Sequence, residues 1–374
     1  MQIVWKAGFF DITGYGSAAR GYVLSLDRLG VNIRLVQAGR GSPGKIRPED
    51  RERIFRLMER PAEPAHETVF VRQCIPNLFE REGFFSMGVT AWETTGIHRL
   101  WRDWCNNMDA VGVPSSMNVL AFARSGVYKP VELLRYGVDD CFTNPGVYRD
   151  RLEYMKTPPF RFLSIFDWIY RKGYDVLLRA FWEEFTAKDG VCLVVKTGFG
   201  GSRGLDNIIN GEMRRLKAIY GRGDSSPVIL LTEEMNPGEL VNLYRSCHCF
   251  VLPSRGEGAG LPLLEAGSLG MPVISTGWGG QTDFLDSDNS FPVEYRLVKV
   301  PAQSHCPYYL PGQNWAEPSV DDLRAKMRWV LENFGPAIEK GALLRSQVNN
   351  EYTWQKAALD VVAALERLTG RKIL

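Results

Sequence analysis

The chain has 374 residues, of which 45% are hydrophobic and 24% are charged, and its formal net charge is +2. One hydrophobic core rarely grows to this size, so we expect two domains. Acidic and basic residues are nearly equal in number and are spread along the chain, without the basic stripe that binds a phosphate backbone. Nucleic acid is therefore not an expected partner.

The seven cysteines are scattered and form no Cys-x-x-Cys pair, which favours a reducing cytoplasm over a disulfide framework. Cys247, His248 and Cys249 run into an apolar segment. Neighbours on a strand point to opposite faces, so we expect no metal site there. The first ten residues carry Lys6 in their apolar stretch and lack a cleavage-like site. No apolar run reaches membrane-spanning length, so at most peripheral contact with the inner face of a membrane is expected.

Short apolar, β-branched runs alternate with longer amphipathic stretches, which is typical of βαβ units around parallel sheets. The strands of a first series are predicted at residues 2–4, 31–36, 68–71, 88–90, 110–113 and 131–134. Those of a second series are predicted at residues 160–165, 191–196, 228–231, 249–252 and 273–276. Between the two series, residues 147–159 are polar and end on two prolines, which predicts a linker.

The strongest motif covers residues 253–266, which follow one predicted apolar strand and open an apolar helix. Gly256, Gly258 and Gly260 allow the backbone to approach a ligand closely. Pro262 suits the first helical turn, and the free amides there, near Leu261, carry the positive end of the helix dipole. This segment therefore predicts a cradle for a diphosphate or for sugar hydroxyls.

Two carboxylates flank this cradle, Glu257 in the loop and Glu265 about one turn into the helix. A carboxylate accepts hydrogen bonds from two hydroxyls at once, as recognition of a ribose or sugar diol requires. The alternative is a tight glycine turn with both glutamates solvated.

The Glu-x7-Glu pattern within Pro-Ser-x-x-Glu-Gly-x-Gly-Leu-Pro resembles that of the large family of retaining glycosyltransferases that includes sucrose synthases and bacterial mannosyltransferases. Residues 171–181 resemble the family's Lys-Gly helix start. Residues 114–116, 125–127 and 136–139 resemble the end of its acceptor domain. The resemblance spans about residues 8–323. It implies an α/β protein of the GT-B fold, with two Rossmann-like domains facing each other across a cleft and a C-terminal helix that crosses back to the first domain.

The predicted domain bounds are 1–156 for an acceptor-binding domain and 157–348 for a donor-binding domain. Residues 349–374 are predicted to form the last helix, which packs back on the first domain. The amphipathic stretch over residues 352–368 is consistent with such a helix.

The resemblance implies roles for individual residues. Glu265 would bind the nucleotide ribose, and Glu257 would contact the transferred sugar. Lys172 would stand at a helix start and neutralise charge on the leaving diphosphate, unless it is a solvated surface lysine. The family usually has an arginine some five residues before this lysine. Here the stretch reads Ile165-Phe166-Asp167-Trp168, and Arg171 is a candidate substitute for that arginine.

In the first half, Gly14, Gly16 and Ser17 follow the first strand and lead into a helix predicted over residues 18–29. They are assigned to the diphosphate of the donor through their amides. A plain strand-to-helix turn has the same composition and is the alternative. Many family members have a histidine that orients the donor sugar, at the place where this chain has residues 90–94. Trp92 and Glu93 are the candidates there, as a stacking surface and as a catalytic hydrogen-bond acceptor. An aromatic residue beside a strand end is also a common core residue.

Asp286, Ser287 and Asp288 form an Asp-x-Asp, which holds a metal ion in another transferase fold. Here they lie in a segment of turn composition. We therefore expect no metal site and no cofactor other than the nucleotide diphosphate sugar used as donor, and we assign no catalytic histidine. The expected enzyme is a hexosyltransferase acting on a saccharide or lipid-linked acceptor. A sugar-nucleotide epimerase or phosphorylase of the same fold, and a non-catalytic nucleotide-sugar-binding subunit, remain alternatives.

Overall fold

The computed structural model describes residues 1–150, 152, 157–198, 205–221, 223–301, 304, 306–309 and 312–374. The chain divides into two compact units. Unit 1 comprises Met1–Asp139, His305–Gln313 and Glu351–Leu374. Unit 2 comprises Asp140–Ser304 and Asn314–Asn350.

Unit 1 is built around one parallel sheet. Its strands are β1 (Gln2–Ala7), β2 (Ile33–Gln37), β3 (Thr68–Gln73), β4 (Phe85–Val89), β5 (Ala110–Val113) and β6 (Val131–Leu133). They follow the order β2-β1-β3-β4-β5-β6. The helices between them are α1 (Gly14–Arg28), α2 (Pro48–Met58), α3 (Arg99–Asn106) and α4 (Ser116–Arg124). The strand order reverses between β1 and β3, which makes this the switch point of the sheet.

Unit 2 has a second parallel sheet, in the order β12-β11-β10-β7-β8-β9. Its strands are β7 (Phe160–Ile165), β8 (Val191–Lys196), β9 (Val228–Leu231), β10 (Cys249–Leu252), β11 (Val273–Thr276) and β12 (Phe291–Val293). An antiparallel pair, β13 (Tyr295–Lys299) and β14 (Asn314–Pro318), follows. The helices are α5 (Asp140–Thr143), α6 (Tyr174–Glu184), α7 (Leu205–Tyr220), α8 (Pro237–Arg245), α9 (Leu261–Ser268), α10 (Val320–Glu332) and α11 (Phe334–Glu351). The switch point lies between β7 and β10.

The predicted α/β class with two Rossmann-like parallel-sheet domains is confirmed, and every predicted strand occurs. Strands such as β5, β10 and β11 are buried along their whole length, as expected where helices cover both faces of a sheet. Two features were not predicted. Helix α1 begins at Gly14 rather than at residue 18, and β12 to β14 gave no signal, because β12 is short and contains Pro292 while β13 is largely exposed.

The division between the units falls after Asp139, whereas the sequence placed a linker at residues 147–159. Helix α5 packs against α8 and α9, and the ring of Phe142 meets the ring of Tyr244 edge-on at 5.6 Å. Contacts of this kind assign the segment after Asp139 to unit 2. Residues 151 and 153–156 of the predicted linker lie outside the described residues.

The C-terminal helix α12 (Trp354–Thr369) packs against α1 in unit 1. A Cβ at Gly21 would lie 2.1 Å from the Trp354 ring, so a glycine is required where the two helices meet. The indole nitrogen of Trp354 donates a hydrogen bond to Asp139 Oδ1 at 3.0 Å. These contacts explain the apolar side of the predicted helix, where Val361 and Leu365 are fully buried.

Candidate functional site

Two loops meet at the switch point of the unit 2 sheet. The first follows β7 and forms a 3-10 turn, Tyr170–Lys172, before α6 begins at Tyr174. The second follows β10 and runs over residues 253–260 to α9. Because β7 and β10 are adjacent and parallel, the loops at their carboxyl ends lie side by side. In open α/β sheets, ligands bind outside the carboxyl ends of the strands at this point.

The two loops are joined through their backbones. Gly173 has a φ of 70°, and a Cβ there would lie 2.0 Å from the carbonyl oxygen of Pro253. The amide of Arg255 donates a hydrogen bond to the carbonyl of Arg171 at 2.7 Å. The glycine of the predicted Lys-Gly start is therefore required both by its left-handed conformation and by the close approach of the second loop.

An ion pair connects the two loops at the level of the side chains. Lys172 Nζ lies 2.7 Å from Glu257 Oε1 and 2.9 Å from Glu257 Oε2. Arg171 Nη1 lies 3.7 Å from the same Oε1 and donates to the carbonyl of Gly256 at 2.5 Å. Glu257 is 5% exposed. Lys172, whose side chain is 12% exposed, is therefore a partly buried ion-pair partner of Glu257, and the interpretation as a solvated lysine is wrong.

Burial alone would raise the pKa of the Glu257 carboxyl, but the charges of Lys172 and Arg171 and hydrogen bonds from Lys172 and Ser254 outweigh it. The net result is a lowered pKa, so Glu257 is ionised at neutral pH. A carboxylate held in this way accepts hydrogen bonds from hydroxyls and does not donate a proton.

Helix α9 begins beside this pair. Its N-cap is Gly260, with a φ of 89° and no side-chain hydrogen bond to the first turn. Gly256, Gly258 and Gly260 are all buried. Leu261 is the first helical residue, and it is followed by Pro262, which has no amide hydrogen to satisfy. The sequence assigned this helix start to a phosphate, and the assignment remains a prediction.

Glu265 lies on α9 and accepts a hydrogen bond from the Tyr244 hydroxyl at 2.7 Å. Tyr244 belongs to α8 and is fully buried. This tyrosine was not predicted, because nothing in its surroundings along the chain indicates that it reaches α9. Its bond fixes the orientation of the carboxylate assigned to the ribose.

A third loop, which follows β11, is hydrogen-bonded to the backbone of Glu257. The amide of Gly280 donates to the carbonyl of Glu257 at 2.8 Å. Gln281 is fully buried and donates to the carbonyls of Thr276 and Trp278. This loop was not predicted either, although a glycine-rich stretch directly after a predicted strand was an available signal.

In unit 1, the predicted glycine-rich turn opens α1. Thr13 is the N-cap and forms no side-chain cap. A Cβ at Gly16 would lie 2.1 Å from the carbonyl oxygen of Asp11, so Gly16 is explained by packing within the turn. Ser17 Oγ accepts a hydrogen bond from Arg20 Nη2 at 3.1 Å. Gly14 is exposed, and the assignment of these residues to the donor phosphates remains a prediction.

Tyr15, which the sequence analysis did not select, connects this turn to the segment after β4. Its hydroxyl lies 3.0 Å from Thr90 Oγ1 and accepts from the amide of Ala91 at 3.2 Å. Two separately predicted segments, residues 14–17 and 90–94, are thereby brought together within unit 1.

Tyr15→Phe is expected to lower the free energy of unfolding by about 1 kcal/mol near pH 8, since it removes the hydroxyl and its hydrogen bonds with Thr90 and Ala91. Burial raises the pKa of Tyr15 from 10.0 to about 12, although the bonds with Thr90 and Ala91 act in the opposite direction. The contribution of the Tyr15 hydroxyl to the free energy of unfolding is present in full below pH 10 and is lost as the pH rises through 12. Urea unfolding of the unaltered protein and of Tyr15→Phe should therefore show a difference in the free energy of unfolding that narrows above pH 10. A difference that widens there contradicts the assignment.

Trp92 is 2% exposed and lies in a cluster with Trp101. Their ring centroids are 4.5 Å apart, and the Tyr309 ring meets Trp92 edge-on at 5.0 Å. Asn118 exchanges two hydrogen bonds with the Trp92 backbone. The interpretation of Trp92 as a stacking surface for sugar is therefore wrong, because its faces are occupied by core residues.

Glu93, beside Trp92, accepts a hydrogen bond from the Tyr309 hydroxyl at 3.1 Å. The sequence analysis left the segment around Tyr308 and Tyr309 unassigned. Both rings pack on the Trp92 cluster, and Pro311 of the same segment lies outside the described residues. The catalytic assignment of Glu93 remains a prediction.

The remaining candidates have structural explanations. His248 Nδ1 accepts from the amide of Arg161 at 3.1 Å, while Cys247 and Cys249 are buried. Asp286 Oδ1 accepts from the amides of Asp288 and Asn289, which confirms a turn. Within the part of the chain that the structure describes, no group of three potential metal ligands is found, and no helix is long and apolar enough to cross a bilayer.

Comparison with known proteins adds a second line of information. Residues 159–300, within unit 2, match the family described as Glycosyl transferases group 1. The chain is 31% identical over 115 residues to D-inositol 3-phosphate glycosyltransferase of Acidothermus cellulolyticus, over 30% of this chain and 24% of that protein. The same enzyme of Corynebacterium jeikeium is 31% identical over 121 residues, or 32% and 27% of the two chains. The matches thus span about a quarter of each curated relative.

Solved structures resemble the whole chain. Sucrose-phosphate synthase from Thermosynechococcus elongatus has a TM-score of 0.68 and 15% identity, over 99% of both chains. HepE of Anabaena, in complex with UDP and glucose, has a TM-score of 0.65 and 12% identity, over 98% of this chain and 100% of its own. A UDP-forming trehalose-phosphate synthase from Burkholderia xenovorans, in complex with glucose-6-phosphate, has a TM-score of 0.67 and 12% identity, over 99% and 100%.

The two parallel sheets and the likeness to these solved structures show a GT-B fold, with two Rossmann-like domains. The match of residues 159–300 to the Glycosyl transferases group 1 family confirms, for that part of the chain, the resemblance read from the sequence.

Proposed function

We propose that the chain is a retaining, metal-independent hexosyltransferase that moves a sugar from a UDP- or GDP-sugar to a saccharide or lipid-linked acceptor. Synthesis of a surface polysaccharide or glycoconjugate, in the cytoplasm or at the inner face of the membrane, is the proposed role. One observation carries the proposal. The Lys172–Glu257 pair lies at the switch point of unit 2, with Arg171 beside it.

A nucleotide diphosphate sugar has a group for each element of this site. Lys172 and Arg171 neutralise the charge that grows on the leaving diphosphate, and the start of α9 adds its dipole. Glu257 accepts hydrogen bonds from hydroxyls of the transferred sugar, and Glu265 accepts them from the ribose. Two side-chain cations thus perform the task that a metal ion performs in other transferases.

Retention of configuration is proposed from the resemblance to the retaining family. Because both oxygens of Glu257 face Lys172, this carboxylate is not assigned as a nucleophile, and attack on the same face is the proposed route. The acceptor oxygen attacks the anomeric carbon from the face that the phosphate leaves. The bond to the phosphate oxygen breaks as the new glycosidic bond forms, and that oxygen takes the acceptor proton.

In unit 1, the amides of Gly14 and Gly16 and the hydroxyl of Ser17 are proposed to contribute to phosphate binding, since the Ser17 amide already donates to the Thr13 carbonyl at 3.0 Å. Glu93 is proposed to bind a hydroxyl. The ligands bound in the solved structures guide the choice of donor for the assay. HepE was crystallised with UDP and glucose, and the trehalose-phosphate synthase with glucose-6-phosphate. UDP-glucose is therefore the first donor to test.

The proposal is tested by incubating the protein with radiolabelled UDP- and GDP-sugars and following release of free sugar, in EDTA and in Mg²⁺. We expect slow hydrolysis of one donor at equal rates in both buffers. Early NMR spectra of the released sugar should show the anomeric configuration of the donor.

Other outcomes separate the alternatives. An epimeric nucleotide sugar among the products would indicate an epimerase. Tight donor binding without turnover, with or without candidate saccharide acceptors, would indicate a binding subunit. Loss of turnover in EDTA would refute the proposal that no metal ion is needed, and it would leave the proposed transfer of a sugar standing.

A further inference from the structure

The side chain of Arg255 is buried next to the candidate donor site, and its residue is 1% exposed. It bridges two carboxylates. Nη1 and Nη2 each lie 2.8 Å from an oxygen of Asp175, while Nε and Nη2 lie 2.7 and 2.9 Å from the oxygens of Glu317. The guanidinium also lies 3.8 Å from the centroid of the Tyr170 ring. None of the roles proposed above involves this arginine.

These bonds tie three distant segments together. Glu317 lies on β14, Asp175 lies in the first turn of α6, and Arg255 itself follows β10. Arg255 Nη1 also donates to the carbonyl of Tyr170 at 2.7 Å. The backbone carbonyl of Arg255 accepts from Ala316 at 3.0 Å. The planar five-donor guanidinium is the side chain that can make all these contacts at once.

The Tyr170–Lys172 turn is the segment that presents both cations of the site. Arg255 holds this turn at three points, namely the Tyr170 carbonyl, the Tyr170 ring and, through its amide, the Arg171 carbonyl. Arg255 is also two residues from Glu257 in the chain. A shift of Arg255 would therefore move Lys172 and Glu257 relative to each other.

We propose that Arg255 is a positioning residue, which fixes the Tyr170–Lys172 turn so that Lys172 and Arg171 meet the leaving diphosphate in the geometry that transfer requires. This inference rests on the proposed function. Arg255 contacts no reacting atom, and its effect passes through the turn.

The test is Arg255→Lys, assayed for transfer or donor hydrolysis with saturating donor. We expect kcat to fall about 100-fold, as for a displacement of about 1 Å in a catalytic group. We expect KM for the donor to change by less than about threefold, because both cations remain present. Glu317→Gln, which keeps the Asp175 bonds and the shape of the side chain, is expected to lower kcat by about tenfold and serves if Arg255→Lys does not fold.

Arg328 supplies a matched control in the same unit. It also bridges two carboxylates, Glu184 and Asp189, and lies 4.6 Å from the centroid of the Phe185 ring. Its partners lie at or beyond the C-terminal end of α6, a helix of 11 residues that starts beside the site. Arg328→Lys should lower the urea midpoint while leaving kcat within about twofold.

The results distinguish the inference from the proposed function. If the unaltered protein neither binds nor turns over a nucleotide sugar, the proposed function fails. If it is active and both Arg255→Lys and Glu317→Gln retain kcat, or lose it only to the extent that Arg328→Lys does, the positioning role is overturned.

Discussion

Glu257→Gln should bind bare UDP or GDP about tenfold more tightly than the unaltered protein, while transferring sugar about 100-fold more slowly. In the free protein, both Glu257 oxygens lie within 2.9 Å of Lys172 Nζ. A diphosphate must compete with this carboxylate for Lys172. Removing the negative charge removes the competition and the repulsion, so the affinity for the anion rises. Transfer falls because an amide is a weaker acceptor for the hydroxyls of the sugar.

Calorimetry with UDP and GDP measures the affinity, and initial rates with the labelled donor measure the transfer. Glu265→Gln is the matched control, since it removes the second carboxylate of the motif while its side chain can still accept from Tyr244. It should weaken nucleotide binding and leave kcat nearly unchanged. If Glu257→Gln weakens nucleotide binding as well, Glu257 does not compete with the diphosphate.

Gly173→Ala is expected to lower the free energy of unfolding by about 3 kcal/mol and to abolish measurable donor binding. Two costs add at this position. An L-residue at a φ of 70° is strained, and the new Cβ would lie 2.0 Å from the Pro253 carbonyl oxygen. Because that contact is with backbone, relief requires the two loops to separate, and Lys172 would move away from Glu257.

Gly190→Ala measures the strain of an L-residue at a positive φ without the clash between the loops. Gly190 has a φ of 66°, but a Cβ there would meet its nearest neighbour, a side-chain atom of Pro159, at 3.7 Å. Its destabilisation should be about 1 kcal/mol, with donor binding intact. Urea unfolding and calorimetry of both variants make the comparison. Equal effects of the two substitutions would exclude a special role for the contact between the loops.

Much of the fold could be predicted from the sequence because its signals are local. Apolar runs such as residues 191–196 and 249–252 become strands in the structure. The motif around Glu257 was placed between a strand and a helix by its glycines and by Pro262, and the structure has both elements there. The boundary after Asp139 was missed, because it depends on where the short helix α5 packs.

The candidate site was predicted as a set of separate segments, and only part of its interior could be anticipated. Trp92 was interpreted as a sugar-stacking surface, yet it is buried under Tyr309, which comes from a segment 217 positions later in the chain. Gly16 was assigned to the phosphates through its amide, which stays a prediction, and the structure adds that its missing side chain makes room for the Asp11 carbonyl. No local pattern distinguishes these cases, since the same residue type serves either purpose.

By itself, the sequence determined the α/β class of the fold and the order of its main strands and helices, and it singled out the segments to which a site was assigned. Spacing along one strand, turn or helix is enough for these conclusions. The tertiary structure alone decided that Lys172 pairs with Glu257 and that Arg255 bridges Asp175 and Glu317. The first pairing depends on β7 and β10 becoming neighbours in the sheet, which brings together side chains 85 positions apart. The second depends on where the separate pair of β13 and β14 packs, since Arg255 and Glu317 are 62 positions apart.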